Sequence, residues 1–157
     1  MLDFFKKEIV VHSPVEGEII GLDAVPDEVF ASKMMGEGVG FLNEDNKIYS
    51  PVNGAVMFVA NTKHAIGLKT NNGIELLIHA GLDSVELQGE GFQVYVKAGD
   101  HVKKGQLLLS YDKQVMNAHN INMITPMVIT NSSKWKIEIL KSHGKVKKDV
   151  EILKVRK

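Results

Sequence analysis

Apolar residues fall in short runs, and each run ends at a cluster of turn-forming residues. Residues 9–20 read as strand, turn and strand, and further strands are predicted at residues 124–130 and 135–140. Residues 150–155 are predicted to form a final edge strand, whose exposed lysines would discourage pairing with other chains. The pattern therefore predicts an all-β domain.

Two stretches are expected to be helical instead. In residues 25–35, Pro26 and the acidic residues Asp27 and Glu28 suit the first turn of a short helix. Residues 111–120 are predicted to form one or two helical turns. These segments are too short to change the fold class.

A predicted β-hairpin carries a histidine at the far end of each arm. Its arms are residues 64–69 and 74–79, and Asn and Gly residues in the connection favour a turn. If Asn71 and Asn72 form a two-residue turn, His64 faces His79 directly, with Cβ atoms roughly 4.5–5.5 Å apart. Moving the turn by one residue leaves the histidines diagonal on one face, whereas a three-residue loop puts them on opposite faces.

Two of these three registers predict a histidine pair, with Ile66 and Leu77 as an apolar collar around it. One imidazole could act as a nucleophile while the other donates a hydrogen bond to a bound phosphoryl group. A nearby hydroxyl such as that of Thr62 could fix the tautomer of the donor. Phosphoryl transfer needs mainly positioning and charge stabilisation, which such a pair can supply.

A weak internal repeat suggests two similar halves. The sequence Ser-Pro-Val-Glu-Gly at residues 13–17 recurs as Ser-Pro-Val-Asn-Gly at residues 50–54. Residues 96–109 add short strands separated by Gly-Asp and Lys-Gly turns. The pattern resembles barrel-sandwich hybrids, although the Met-Lys-Met turn of lipoyl and biotinyl carriers is absent. We predict an antiparallel β-sandwich of this hybrid type (a duplicated hybrid motif) with a few short helical turns.

Longer motifs resemble one family. The sequences NTKHAIGL and ELLIHAGLDSVELQGEGF, with VPDEVFASKMMGEGVGF, SPVNG and TPMVITN, are similar to the glucose-type enzyme IIA domain of the bacterial phosphoenolpyruvate-dependent sugar phosphotransferase system. This resemblance covers nearly the whole chain after the first ten or so residues. One departure is Ala80, because an aromatic residue often follows the phosphorylated histidine in this family.

The resemblance implies a set of roles. His79 would be the phosphoryl acceptor, His64 would stabilise the phosphoryl group, Thr62 would orient His64, and Asp83 would lie beside the site. The donor would be the carrier protein HPr, and the acceptor a cysteine of a sugar-specific EIIB domain, so that the protein would be peripheral to the membrane through EIIBC. Regulatory targets are known for some members of the family.

Residues around the histidines could form a docking surface. The resemblance suggests that an apolar patch containing Phe30, Met34 and Met35 borders the site, although each could equally be a core residue. Four carboxylates are close in sequence to His79 and could form an acidic rim that orients a basic donor: Glu75, Asp83, Glu86 and Glu90.

Composition narrows the alternatives. The 157 residues fit one domain, predicted at residues 9–157 after a flexible N-terminal segment at residues 1–8. Lys plus Arg and Asp plus Glu each number 19, which argues against bulk nucleic-acid binding. The absence of cysteine excludes disulfides and thiolate chemistry within the chain, and a cytoplasmic protein is the simplest interpretation.

Two other functions stay open. His64, His79 and Asp83 could supply three ligands to zinc, or the two histidines could form a partial zinc site that a partner completes. The histidines of lysostaphin-type peptidases lie two residues apart on a strand, and this sequence has no such motif. The domain could also be a purely regulatory binding module. No cofactor is required for the carrier function, and a monomer is the default expectation.

Overall fold

A computed structural model of the protein describes residues 8–157. The predicted flexible segment at residues 1–8 lies outside the described residues, except for Glu8, which begins the first strand. The strands in chain order are β1 Glu8–His12, β2 Gly17–Gly21, β3 Glu37–Asn43, β4 Lys47–Tyr49, β5 Gly54–Val59, β6 Ala65–Lys69, β7 Glu75–His79, β8 Phe92–Val94, β9 His101–Val102, β10 Leu107–Tyr111, β11 Thr125–Ile129, β12 Lys136–Ile139, β13 Gly144–Val146 and β14 Glu151–Arg156.

Two short α-helices occur where the sequence predicts them: α1 at Glu28–Ala31 and α2 at Lys113–Ala118. Asp27 caps α1, because its carboxylate accepts a hydrogen bond from the N–H of Val29 at 3.0 Å. Within residues 8–157, none of the helices has the length and apolar character needed to cross a membrane.

The strands form three antiparallel sheets. The large sheet has the order β13-β2-β3-β11-β7-β6-β5-β9, and the two smaller sheets have the orders β1-β14-β12 and β4-β10-β8. The inner face of the large sheet and both small sheets contribute side chains to one main core, including Ile78, Leu153 and Leu109. The predicted antiparallel β-sandwich is therefore confirmed.

The internal repeat has a structural counterpart. The buried hydroxyls of Ser13 and Ser50 each donate to the carbonyl two residues further along, at 2.8 Å and 2.7 Å. The carbonyl of Pro14 accepts the N–H of Tyr49 at 2.8 Å, and the carbonyl of Pro51 accepts the N–H of His12 at 2.9 Å. Each copy is thus hydrogen-bonded to the residue that directly precedes the other copy.

The prediction of a final edge strand is wrong. Strand β14 pairs with β1 on one side and with β12 on the other, so it is the centre of its sheet. Its apolar side chains Ile152, Leu153 and Val155 are fully buried. Lys154 and Arg156 are the less buried residues on either side of Val155, and such alternation cannot show whether a strand has one neighbour or two.

The hairpin formed by β6 and β7 has the third of the registers considered above, the one that puts strand positions 64 and 79 on opposite faces. Its loop consists of three residues, since the N–H of Thr70 bonds to the carbonyl of Ile74 and Gly73 has a φ of +98°. Such a loop ends in a left-handed residue, a position that suits glycine. Ala65, rather than His64, therefore pairs with His79.

The predicted apolar collar is wrong for the same reason. Ile66 points into the main core, whereas Leu77 belongs to a second apolar cluster on the outer face of the large sheet. That second cluster consists of Leu22, Val25, Phe30, Ala65, Leu77, Leu82 and Val128.

Candidate histidine site

His64 and His79 meet on the outer face of the large sheet. Their ring centroids are 4.7 Å apart and the ring planes are inclined by 80°. His79 is the last residue of β7, and His64 lies in a bend immediately before β6. The register would put a regular strand residue at position 64 on the opposite face, so the contact depends on this bend.

The Nδ1 atom of His79 donates a hydrogen bond to the carbonyl oxygen of Gly81 at 2.7 Å. Because a carbonyl oxygen can only accept, this bond fixes the proton on Nδ1 and leaves a lone pair on Nε2. Gly81 has a φ of +87°, in the left-handed region that favours glycine. The sequence analysis missed Gly81, although a glycine two residues after a strand histidine is a turn signal.

The hydroxyl of Thr62 lies 2.7 Å from Nδ1 of His64. A hydroxyl can donate or accept, so this contact allows either tautomer of the ring. The His64 side chain is nearly enclosed, with 8 % of the residue exposed, and His79 is partly exposed. The structure therefore brings Thr62, His64 and His79 into one contact group.

Both histidines have pKa values below the ordinary value for histidine. Burial lowers the pKa of His64, and the nearby His79 lowers it further, while a hydrogen bond to the Thr62 backbone acts in the opposite direction. Burial also lowers the pKa of His79, against the hydrogen bond to Gly81 and the negative charges of Asp27 and Asp83. The neutral imidazoles are thus favoured at neutral pH.

Helix α1 brings an aromatic ring onto the pair. Phe30 is buried, and its ring centroid is 5.1 Å from that of His79. Three apolar side chains are exposed, and we call them the apolar rim: Val29 in α1, Phe58 beside Gly67 of β6, and Val85, two residues after Asp83. Of the two methionines predicted near the site, Met34 is 75 % exposed and Met35 is 38 % exposed, so neither is a core residue.

Two concavities of the described surface are lined by residues other than the two histidines. One concavity is lined by Phe92, Tyr111 and Lys113 among others, and another by Glu44 and Lys145 among others. The pair instead lies on an open, largely apolar face of the sheet. This arrangement suits chemistry that is shared with the surface of a second protein.

The predicted acidic rim is only partly correct. The negative charge of Asp83 raises the pKa of His79, and so does that of Asp27, which the sequence analysis assigned only to a helix start. Glu75 lies at the other end of β7, four residues or roughly 13 Å from His79, and cannot belong to the rim. The Oε1 atom of Glu90 lies 3.6 Å from Nε2 of His119. Glu86 is exposed in the turn after Asp83.

Within residues 8–157 there is no group of three or more His, Asp or Glu side chains placed to hold a metal ion. Asp83 therefore does not join the two histidines as a third ligand. The rings of His64 and His79 are 4.7 Å apart, and these two residues alone would fill half of a tetrahedral zinc site.

The sandwich and its histidine pair define a class of β-domain with a surface imidazole site. Residues 9–135 match the model of the family described as "phosphoenolpyruvate-dependent sugar phosphotransferase system, EIIA 1". The chain belongs to this EIIA family, as its motifs predicted.

Several proteins show this similarity over most of the chain. A glucose-specific EIIA component of Staphylococcus epidermidis is 42 % identical over 150 residues, which are 95 % of this chain and 90 % of that protein. The structure of glucose permease IIA from Mycoplasma capricolum superimposes with a TM-score of 0.88 at 37 % identity, covering 96 % of this chain and 97 % of that one.

Other relatives are much longer. A glucose-specific EIICBA component of Staphylococcus saprophyticus is 49 % identical over 124 residues, which are 79 % of this chain but 18 % of that protein. The chain thus spans about a fifth of the length of the EIICBA relatives that it matches.

Proposed function

We propose that this domain is a phosphoryl carrier in which Nε2 of His79 accepts the phosphoryl group. The observation that carries the proposal is the hydrogen bond from Nδ1 of His79 to Gly81, which leaves the Nε2 lone pair available. The lowered pKa of His79 supports it, because the neutral ring is the nucleophile. The open apolar face supports transfer between proteins.

The transfer consists of two displacements at phosphorus. In the first, Nε2 of His79 forms a bond to the phosphorus while the bond to the histidine nitrogen of phospho-HPr breaks, and that nitrogen regains its lone pair. In the second, a cysteine thiolate of the EIIB domain attacks the phosphorus and the bond to His79 breaks. In this proposal the domain is a phosphotransferase component that exchanges the group in the cytoplasm.

His64 stabilises the transferred group by donating a hydrogen bond from Nε2 to a phosphoryl oxygen. That tautomer exists when the Thr62 hydroxyl donates to Nδ1 of His64, and their separation of 2.7 Å supports this role for Thr62. The hydrogen bond compensates part of the negative charge that the phosphoryl group brings. His64 therefore acts as a donor, and His79 as the nucleophile.

The apolar rim and two carboxylates support docking of a basic donor. Asp27 and Asp83 place negative charge near His79, and each is followed two residues later by an exposed member of the apolar rim, Val29 and Val85. Opposite charges on two partners raise the rate of association more than the affinity. HPr would dock on this face first, and the EIIB domain would then use the same face.

The EIICBA relatives support an EIIB domain as the acceptor, since their names combine A, B and C components in one protein. By this inference the domain is peripheral to the membrane and acts through EIIB and EIIC. The sugar is selected by those components.

The first experiment is the intact mass of the protein after incubation with phosphoenolpyruvate, enzyme I and HPr. Wild type should gain one acid-labile phosphoryl group, His79→Gln should gain none, and His64→Gln should accept the group but transfer it poorly to EIIB. If wild type gains no mass while a known acceptor does, the carrier function is refuted and a purely regulatory module becomes the better interpretation.

A partial zinc site is a second candidate. The centroid distance of 4.7 Å lets the two histidines supply two nitrogen ligands, and a carboxylate from a partner would have to complete the site. Zinc would supply cross-linking between the two proteins. The candidate is refuted if zinc does not tighten the binding of any partner, or if zinc tightens the binding of wild type and of His79→Gln equally.

A further inference from the structure

Lys63 closes the loop that leads from β5 into β6 with a left-handed backbone. Its φ is +64°, a value that side chains other than Gly, Asn and Asp rarely adopt. Its N–H donates to the carbonyl of Ala60 at 2.8 Å, and the N–H of Ala60 donates to the carbonyl of Ala65 at 2.9 Å. These bonds hold Lys63 in a conformation that its own side chain disfavours.

Thr62 and His64 flank Lys63, so the backbone torsions of Lys63 set their relative orientation. The Thr62 hydroxyl lies 2.7 Å from the His64 ring nitrogen. The bend around Lys63 thus places both members of this contact on the same side of the loop.

The backbone of His64 is also tied to the neighbouring strand. Its carbonyl accepts the N–H of Ala80 at 2.7 Å, which continues the pairing of β6 with β7 by one residue. In a regular ladder the His64 ring would follow the buried Ala80 into the main core. It instead meets the ring of His79, on the other face.

An ion pair of the Lys63 side chain does not explain the backbone conformation of this residue. Among residues 8–157, no carboxylate lies within salt-bridge distance of its ammonium group. The aliphatic part of the Lys63 side chain packs beside Gly89. A Cβ atom added at Gly89 would lie 3.6 Å from Cδ of Lys63, an ordinary van der Waals distance. The constrained feature of this residue is its backbone.

We infer that Lys63 is a positioning residue, whose left-handed backbone turns the His64 ring out of the strand and onto His79. Its consequence for phosphoryl transfer rests on the proposed function, whereas its consequence for the geometry of the pair does not. Strain of this kind persists where the surrounding structure enforces it, and it clusters at functional sites.

Four variants separate the backbone from the side chain. Lys63→Gly removes the side chain and accepts the left-handed conformation, Lys63→Gln removes the charge but keeps an unbranched polar side chain, and Lys63→Val strongly disfavours the conformation. Lys33→Val is the matched control, because Lys33 has a φ of +66° and flanks neither histidine. Lys33 also forms a salt bridge with Glu37, with Nζ and Oε2 3.2 Å apart, but such a solvent-accessible salt bridge contributes little to stability.

Two measurements are made on each variant. The NOE between the ring protons of His64 and His79 in the unphosphorylated protein reports the geometry of the pair. The rate of phosphoryl transfer from phospho-HPr to EIIB reports its function. We expect Lys63→Gly and Lys63→Gln to keep the NOE and to keep the rate within about fivefold, which corresponds to an activation free-energy change below about 1 kcal/mol.

Lys63→Val should lose the NOE and slow the transfer on the order of 10–100-fold, because small misplacements of reacting groups have effects of this size. Lys33→Val should keep both. The inference is refuted if Lys63→Val retains the NOE, or if Lys63→Gln and Lys63→Gly lose the rate with the NOE intact, which would assign the role to the ammonium group. If Lys63→Val does not fold, the Gly and Gln variants still decide between backbone and charge. If wild type accepts no phosphoryl group, the proposed function fails while the NOE comparison still tests the positioning role.

Discussion

Gly81→Ala should damage both the stability of the protein and the histidine site, and the size of the effect follows from the structure. The φ of Gly81 is +87°, and a Cβ there would lie 2.8 Å from the sulfur of Met123 and 3.3 Å from Cβ of Ser84. The left-handed backbone of an alanine costs about 1–2 kcal/mol. Forcing an extra carbon into this packed loop costs about 1–3 kcal/mol more.

Gly99→Ala is the matched control for this substitution. Gly99 also has a positive φ, +94°, but a Cβ there would meet no atom within 4 Å. Both variants lose the same freedom in the unfolded chain, so that contribution cancels between them. We therefore expect Gly81→Ala to be less stable than Gly99→Ala by about 1–3 kcal/mol, the cost of the steric contact alone.

The assay is urea unfolding followed by the fluorescence of Trp135, together with phosphoryl transfer measured where both variants are folded. Transfer should slow only in Gly81→Ala, because the substitution moves the carbonyl oxygen that accepts the hydrogen bond from Nδ1 of His79. Equal stability of the two variants, or normal transfer by Gly81→Ala, would refute the claim that this loop holds His79 in place.

Three further predictions concern the charges and hydrogen bonds of the pair. The pKa values of His64 and His79 are lowered in the folded state, so the unfolded state binds more protons as the pH falls below about 6.5. The free energy of unfolding should therefore fall as the pH falls through and below that value. Urea unfolding at pH 7.5 and 5.5 should show a smaller fall in His64→Gln than in wild type, and an equal fall would contradict the shift at His64. Asp27→Asn keeps a good helix cap but removes a charge, so stability should change by less than about 0.5 kcal/mol while the transfer rate from phospho-HPr becomes less dependent on salt; an unchanged salt dependence would exclude Asp27 from steering. Thr62→Ser should preserve transfer and Thr62→Val should lower it, and equal rates in stopped-flow transfer assays would argue that the hydroxyl does not orient His64.

The sequence by itself determined the features that depend on residues close together in the chain. Two-residue alternation and turn residues located strands such as β1, β2, β6, β7, β11 and β14, because side-chain direction and turn conformation are local properties. They did not predict β3, β5 or β13. Pro26, Asp27 and Glu28 predicted the first turn of α1, and in the structure Asp27 is its N-cap. The long histidine motifs identified the family, since their specificity lies in the order of the residues and needs no coordinates.

Tertiary structure decided which distant residues meet and on which face. The three-residue loop shifted the hairpin by one position, and only the bend at Lys63 and His64 restored the contact between the histidines. Phe30 reaches His79 from about fifty residues away because the second apolar cluster holds α1 against the sheet. Strand β14 is central because both of its edges find a partner. Such contacts depend on the packing of the whole chain, whereas the periodicity of one segment reports only which of its side chains can be buried.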